Sequence, residues 1–343
     1  MQSITKAYEA VLTGIRHDPG TVFLLGDVDS GKTTFARALL KALTESGYTV
    51  GFIDSDIGQS TIGPPGTIGA SIFGKGQYNE NLNSYGVGKK LHFIGRFSPV
   101  RHVPEILIGI NRLMNHLKSM NTDLLLIDTT GLVHGRIGFH LKKLKIELLR
   151  PEHIVLFQRG RELEHMRCLW DARMHDVPIS PNTRVRSADE RSSYREERLR
   201  DYFRQSTRTK LPLPTVIHWT NHIATAGSLP HTELSRLSRL IECEVLYASI
   251  ADQLLFIIIK DRKRVDIAPL EATFDARYIV VKCIDDLLPC LASIESGRME
   301  ILSLAVLHHI DFSADTMLVT THPVDASSVK ALKLGAACID LVI

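Results

Sequence analysis

The sequence predicts an α/β fold, a doubly wound and mostly parallel sheet, followed by a smaller, mainly β domain. Short apolar, β-branched runs alternate with helical patterns as far as about residue 160, the pattern of a parallel sheet covered on both faces. Past about residue 205 the chain changes to closely spaced short strands with polar interruptions. Its 343 residues also exceed the roughly 250–300 at which a single core stops growing. We therefore expect one domain over 1–205, with an arginine-rich segment at about 178–204, and a second over 206–343.

The first strand is "TVFLL", ending at Gly26, and "FARALLKALTESG" follows with apolar residues at 35, 36, 39, 40 and 43. That spacing is a helix stripe, closed by Gly47. "TVGFID" reads as the next strand, "PEILIGINRLMNHLKSM" as a helix, "DLLLIDTTG" as a third strand and "HIVLF" as a fourth. Between the last two, Ile137, Leu141, Leu144 and Leu148 form the apolar face of a helix. On this reading Lys142, Lys143, Lys145 and Arg150 are exposed, either as solvated charges or as contacts to a nucleic-acid backbone. The stretches "GPPGTIGASIFGKGQ" and "FIGRFSPVRHVP" read as loops because Gly, Pro and Ser end regular structure. Loops at the C-terminal edge of a parallel sheet are where such folds keep ligands.

Composition narrows the function classes. Hydrophobic residues at 44% and charged residues at 23% are ordinary for a soluble globular chain, and no window approaches the roughly 18–20 apolar residues of a membrane span. The N-terminus lacks the apolar core of a secretory signal. Five cysteines, at 168, 243, 283, 290 and 338, form no CxxC pair, which suits free thiols rather than zinc or a disulfide framework. A cytoplasmic protein without membrane partners is expected. The net charge of +3 is small, but residues 184–210 alone hold eight arginines. The pair His308-His309 has no partner at metal-ligand spacing.

"GDVDSGKT", residues 26–33, matches GxxxxGK[ST] between a strand and a helix, the context that makes the pattern a phosphate-binding P-loop. The fold class is therefore that of a P-loop NTPase. Gly26, Asp27, Asp29, Ser30, Gly31, Lys32, Thr33 and Thr34 form the candidate cradle. Backbone N–H groups and the helix N-terminus face the phosphates, Lys32 reaches the β and γ groups, and Thr33 is placed to ligate Mg²⁺.

Two acids then stand at the end of the neighbouring strand, in "DSDIGQ". Residues two apart on a strand face the same way, so Asp54 and Asp56 are expected in one site. One acid can hold the metal, here Asp54, while the other, Asp56, accepts the proton of an attacking hydroxyl. The alternative is that both cap a turn.

Five elements in order resemble the polynucleotide 5′-hydroxyl kinases of the Clp1, Grc3 and Nol9 group: the P-loop, "DSDIGQS…GPPG", "FIGRFSPV", "LLLIDTTGLVHGRIG" and "ERSSYREERLRDYF". A weaker likeness extends to the terminal "VKALKLGAACIDL". The resemblance implies transfer of the γ-phosphate of ATP to the 5′-hydroxyl end of RNA or DNA. It makes Asp56 the general base, and Gln59, Thr129, Thr130 and Gly131 acceptor contacts. Arg191 and Arg195 match the RxxxR of its lid and, with Lys32, join the catalytic set. Several of the other arginines alternate with acids and read as a solvated helix. "TTGL" places Leu132 where the group commonly has tryptophan, which removes a stacking surface worth roughly 1–3 kcal/mol. Few residues precede the P-loop, which suggests a minimal, prokaryotic-type member.

Other readings stay open at this level. A regulatory GTPase or ATPase would switch partners, although "TNHIA" is the nearest approach to a guanine-reading NKxD. A decayed kinase is disfavoured by the presence of Lys32, Thr33, Asp54 and Asp56. A kinase of a small-molecule hydroxyl would make the same demand on Asp56.

Overall fold

The structure is a computed structural model that describes residues 2–75, 87–169, 172–181, 183–214, 216–219, 222–224 and 228–339. It divides into two compact units, Met1–Tyr202 and Phe203–Ile343.

The first unit holds strands β1 (Thr21–Gly26), β2 (Val50–Ser55), β3 (Thr67–Phe73), β4 (Val87–Phe93), β5 (Leu124–Thr129), β6 (His153–Gln158) and β7 (Arg173–Pro178). Its helices are α1 (Gln2–His17), α2 (Lys32–Glu45), α3 (Val103–Ser119), α4 (Gly135–Leu149) and α5 (Ala188–Phe203). The sheet order is β4-β3-β2-β5-β1-β6-β7, parallel from β2 to β7 and antiparallel at the β3 and β4 edge. Alternation divides each central strand between two cores. Val22, Leu24, Phe52 and Leu126 meet α1 and α2, while Phe23, Leu25, Ile53 and Ile127 meet α3 and α4. Burial on both faces makes these strands nearly continuous apolar runs.

Two local expectations change. The stretch read as loop at 63–77 contains β3, buried along its whole length. It is glycine-rich because the backbone of Ile62 crosses it, and a Cβ on Gly69 would lie 2.1 Å from the Ile62 carbonyl oxygen. The second change is the face of α4. Its buried residues are Gly138, Leu141, Lys142, Lys145, Ile146 and Leu149, whereas Ile137 and Leu148 are exposed. Two lysines thus occupy the core side of a helix whose apolar face was expected to exclude them.

The second unit contains β8 (Thr207–Pro212), β9 (Val216–Trp219), β10 (His222–Ala224), α6 (His231–Leu240), β11 (Val245–Ala251) and β12 (Leu254–Ile259). It continues with α7 (Ala268–Phe274), β13 (Tyr278–Cys283), β14 (Cys290–Glu295), β15 (Ile301–Asp311), β16 (Thr316–Thr321) and β17 (Ala331–Cys338). Seven strands pair as β10-β9-β17-β14-β15-β16-β8 and three as β11-β12-β13. The long run at 243–262 is a hairpin, turned at Asp252 and Gln253, both at positive φ. Of the terminal strand read at 335–343, residues 340–343 lie outside the described residues, as do Thr220 and Asn221 of "TNHIA". No helix among the described residues is long and apolar enough to cross a membrane.

Candidate active site

The P-loop leaves β1 at Gly26, where a Cβ would sit 2.7 Å from Ser30 Oγ and 2.8 Å from Phe157 Cβ. It enters α2 through Gly31, whose φ of 92° is the left-handed conformation that favours glycine. Lys32 is buried, and its Nζ donates to the Asp27 carbonyl at 2.5 Å and to Ser30 Oγ at 3.3 Å. Burial pushes its pKa down, opposed by the charges of Asp128, Asp56, Asp27 and Asp29. The side chain of Asp27 takes a contact from His134 Nε2 at 2.9 Å.

Asp54 and Asp56 do not share one orientation. β2 ends at Ser55, so strand alternation no longer governs Asp56. Asp56 turns into the pocket, and its Oδ1 accepts from the N–H groups of Gly58 at 2.9 Å and Gln59 at 3.1 Å. Its Oδ2 has no hydrogen-bond partner among the described residues. Asp54 is 1% exposed. One of its oxygens accepts from Asp56 N at 3.0 Å, and the other from Thr61 N, Thr61 Oγ1 at 2.8 Å and Ser60 Oγ at 3.4 Å. The carboxylate expected to bind metal is hydrogen-bonded to the loop that carries Gln59.

Asp128 meets Thr33 instead. The Thr33 hydroxyl donates to Asp128 Oδ2 at 2.6 Å. Asp128 ends the apolar run of β5 and is in register with Asp54 on β2. Burial raises the pKa of both, with each other's charge contributing at Asp54, which is pushed up to about 7.

Beneath these carboxylates stand the two buried lysines of α4. Lys142 Nζ donates to Thr129 Oγ1 at 2.7 Å and to the Thr130 carbonyl, and Lys145 Nζ to Ser55 Oγ at 2.9 Å. Burial lowers both pKa values, that of Lys145 to about 8, against the pull of Asp56, Asp54 and Asp128. Thr129 also donates to the Leu24 carbonyl at 2.8 Å, so its hydroxyl is committed to holding the loop. Thr129, Thr130 and Gly131 all line the pocket. Gly131 passes so close to the P-loop that a Cβ would lie 2.3 Å from Val28 N.

The arginine segment closes the other side as α5. Asp29, its side chain 4% exposed, is held by Arg186, whose N and Nε donate at 2.9 and 3.1 Å. Arg191 stands 3.6 Å from the same carboxylate and donates to the Arg186 carbonyl at 2.5 Å. Arg195 lies over the Phe97 ring, 5.5 Å from its centroid. The cavity among these groups measures about 1280 Å³ and is lined by Lys32, Thr33, Asp56, Gln59, Arg191 and Arg195, among others. One small ligand usually needs roughly 300–1,000 Å³, so the cavity exceeds what a single small ligand fills.

Residues 26–205 match the family described as the mRNA cleavage and polyadenylation factor CLP1 P-loop. The chain belongs to this family. Among curated relatives, a polyribonucleotide 5′-hydroxyl-kinase of Pyrococcus furiosus is 27% identical over 92% of this chain and 87% of its own length. One of Methanocaldococcus jannaschii is 28% identical over 94% and 88%. A solved structure of a wild-type Clp1p–Pcf11p complex matches with a TM-score of 0.64 at 13% identity, covering 98% of this chain and 79% of that one. That likeness is one of fold.

For this family member the structure adds Asp128 and Arg186 to the expected site residues and places Lys142 and Lys145, expected at the surface, in its interior. Asp128 was visible as the acid closing "LLLID". Arg186 lies one turn before the RxxxR pair. Lys142 and Lys145 gave no such signal, because lysines beside leucines on a helix ordinarily face water.

Proposed function

We infer that this chain is an ATP-dependent polynucleotide 5′-hydroxyl kinase acting on RNA ends. The observation that carries the reading is one carboxylate, Asp56, with an open oxygen in the same cavity as the P-loop and the lid arginines. The relatives' names support it, since they span most of this chain. Action on DNA ends belongs to the same proposal, because the 5′-hydroxyl chemistry is identical.

In the mechanism we propose, Asp56 Oδ2 accepts the proton of the 5′-hydroxyl as the new O–P bond forms and the bond to the ADP oxygen breaks. Lys32 and the backbone N–H groups of residues 29–34 meet the charge on the phosphates. Arg191 and Arg195 stabilise the equatorial oxygens once they leave Asp29 and Phe97. Gln59, Thr129, Thr130 and Gly131 place the acceptor, and Lys142 holds the loop after β5 through Thr129 and Thr130. Thr33 lines the cavity with a hard oxygen that fits Mg²⁺, which takes one or two protein groups and completes its shell with phosphate and water, and Asp128 behind it accepts from that hydroxyl and fixes its orientation. Thr33 would hold that ion, whose charge neutralises the phosphates. A cytoplasmic site of action accords with free Cys243 and Cys283.

The test is transfer of labelled γ-phosphate from ATP to 5′-hydroxyl RNA and DNA oligonucleotides, beside a free nucleoside. Label on an oligonucleotide is the expected result. Release of phosphate with no acceptor modified would replace this reading with a switch ATPase.

A further inference from the structure

Phe97 is a large apolar ring without a core to fill. It belongs to none of the four apolar clusters among the described residues, it is half-buried, and it lines the active cavity. Its backbone packs against the loop that carries Asp56 and Gln59. Gly58, one residue from Gln59 and two from Asp56, packs so closely that a Cβ there would lie 2.8 Å from the Phe97 carbonyl oxygen. The face of the ring is covered by the guanidinium of Arg195. Leu132, by contrast, packs into the core with α3 and α4 and offers the cavity no ring.

A phenyl face lining the same cavity as the carboxylate that receives the 5′-hydroxyl proton offers a surface to the first base of an acceptor. Every nucleobase has a π-face, so stacking holds an end without reading its sequence. A guanidinium and a base compete for the same ring face, since both are planar groups attracted by the π-system. We propose that Phe97 is the platform on which the 5′-terminal base of the acceptor stacks, and that the base takes the ring face now covered by Arg195, freeing that arginine for the transferred phosphate. Occupation of the acceptor site and completion of the lid are thereby one event. The proposal rests on the kinase reading above.

The experiment compares wild type, Phe97→Ala, Phe97→Leu and Phe97→Trp on two 5′-hydroxyl oligonucleotides that differ only in having 2-aminopurine or an abasic unit at the first position. Binding is followed by 2-aminopurine fluorescence without ATP, and turnover by phosphate transfer. Wild type and Phe97→Trp should quench the fluorophore. Phe97→Ala and Phe97→Leu, the latter keeping apolar bulk without a π-face, should lose the quench. Their KM for the base-bearing acceptor should rise roughly ten-fold, with the KM for ATP unchanged. On the abasic acceptor all four should have the same KM. A retained quench in Phe97→Leu, or an equal rise in KM on both acceptors, overturns the stacking role while leaving the kinase intact. A wild type that labels neither oligonucleotide overturns both.

Discussion

At the scale of single residues the site is a balance of buried charge. Asp54, Asp56 and Asp128 stand against Lys32, Lys142 and Lys145, and of the acids only Asp56 keeps an oxygen open toward the cavity. Asp56→Asn retains shape and should bind ATP normally, while turnover falls by about 10²–10⁴-fold, the usual worth of a positioned base. Single-turnover transfer beside nucleotide titration separates the two effects, and normal turnover would remove Asp56 from its role. Asp54 carries the pH prediction. Its folded pKa of about 7 lies above that of the unfolded chain, near 4, so between these values the folded state holds a proton that the unfolded state has lost. Stability from this group is full below the lower value and is lost as pH rises to about 7. Relative to Asp54→Asn, which does not titrate, wild type should lose up to about 1.4 kcal/mol per pH unit across that window. Urea unfolding of both proteins from pH 4 to 8 measures it, and a constant difference would place the proton elsewhere.

At the scale of elements, α5 is fastened to the P-loop and to the loop after β2. Arg186 and Arg191 meet Asp29, Tyr194 donates to the Ser60 carbonyl at 3.5 Å, and Arg198 to the Gly63 carbonyl at 3.0 Å. Asp29 is the buried anion in this set, so its charge holds Arg186 and Arg191 more strongly than a surface pair would. Asp29→Asn keeps the loop geometry and removes that charge. Amide exchange over 188–199 should then quicken, while exchange in β1 and β5 stays the same. Unaltered exchange in α5 would show that the two backbone acceptors suffice to hold it. The loop at 60–63 matters equally. Asp54 and α5 both hydrogen-bond to it, so the acid expected to bind metal also shapes the seat of α5.

At the scale of the whole molecule, each of the two units carries its own apolar core. A ligand stabilises the unit that binds it, by about 2.7 kcal/mol at a concentration of 100 Kd. ATP with Mg²⁺ should therefore raise the melting transition of the unit holding the P-loop and leave that of residues 203–343 in place. Scanning calorimetry with and without nucleotide tests this, and a joint shift of all transitions would mean that the units unfold as one.

The sequence by itself determined the features written in local pattern. These are the strands β1, β2, β5 and β6 with the helices α2–α4 that alternate with them, the P-loop, and the base candidate in "DSDIGQ". Each depends on neighbours a few residues apart, where sterics, spacing and backbone N–H geometry decide. Tertiary structure alone decided which acid meets Thr33, because Asp54 and Asp128 end adjacent strands in register and only the loops after them differ. It also decided that Lys142 and Lys145 face inward. A lysine is buried only when acceptors and carboxylates from other elements surround it, and here Thr129, Thr130, Ser55 and the acids come from strands that a reading of α4 cannot see.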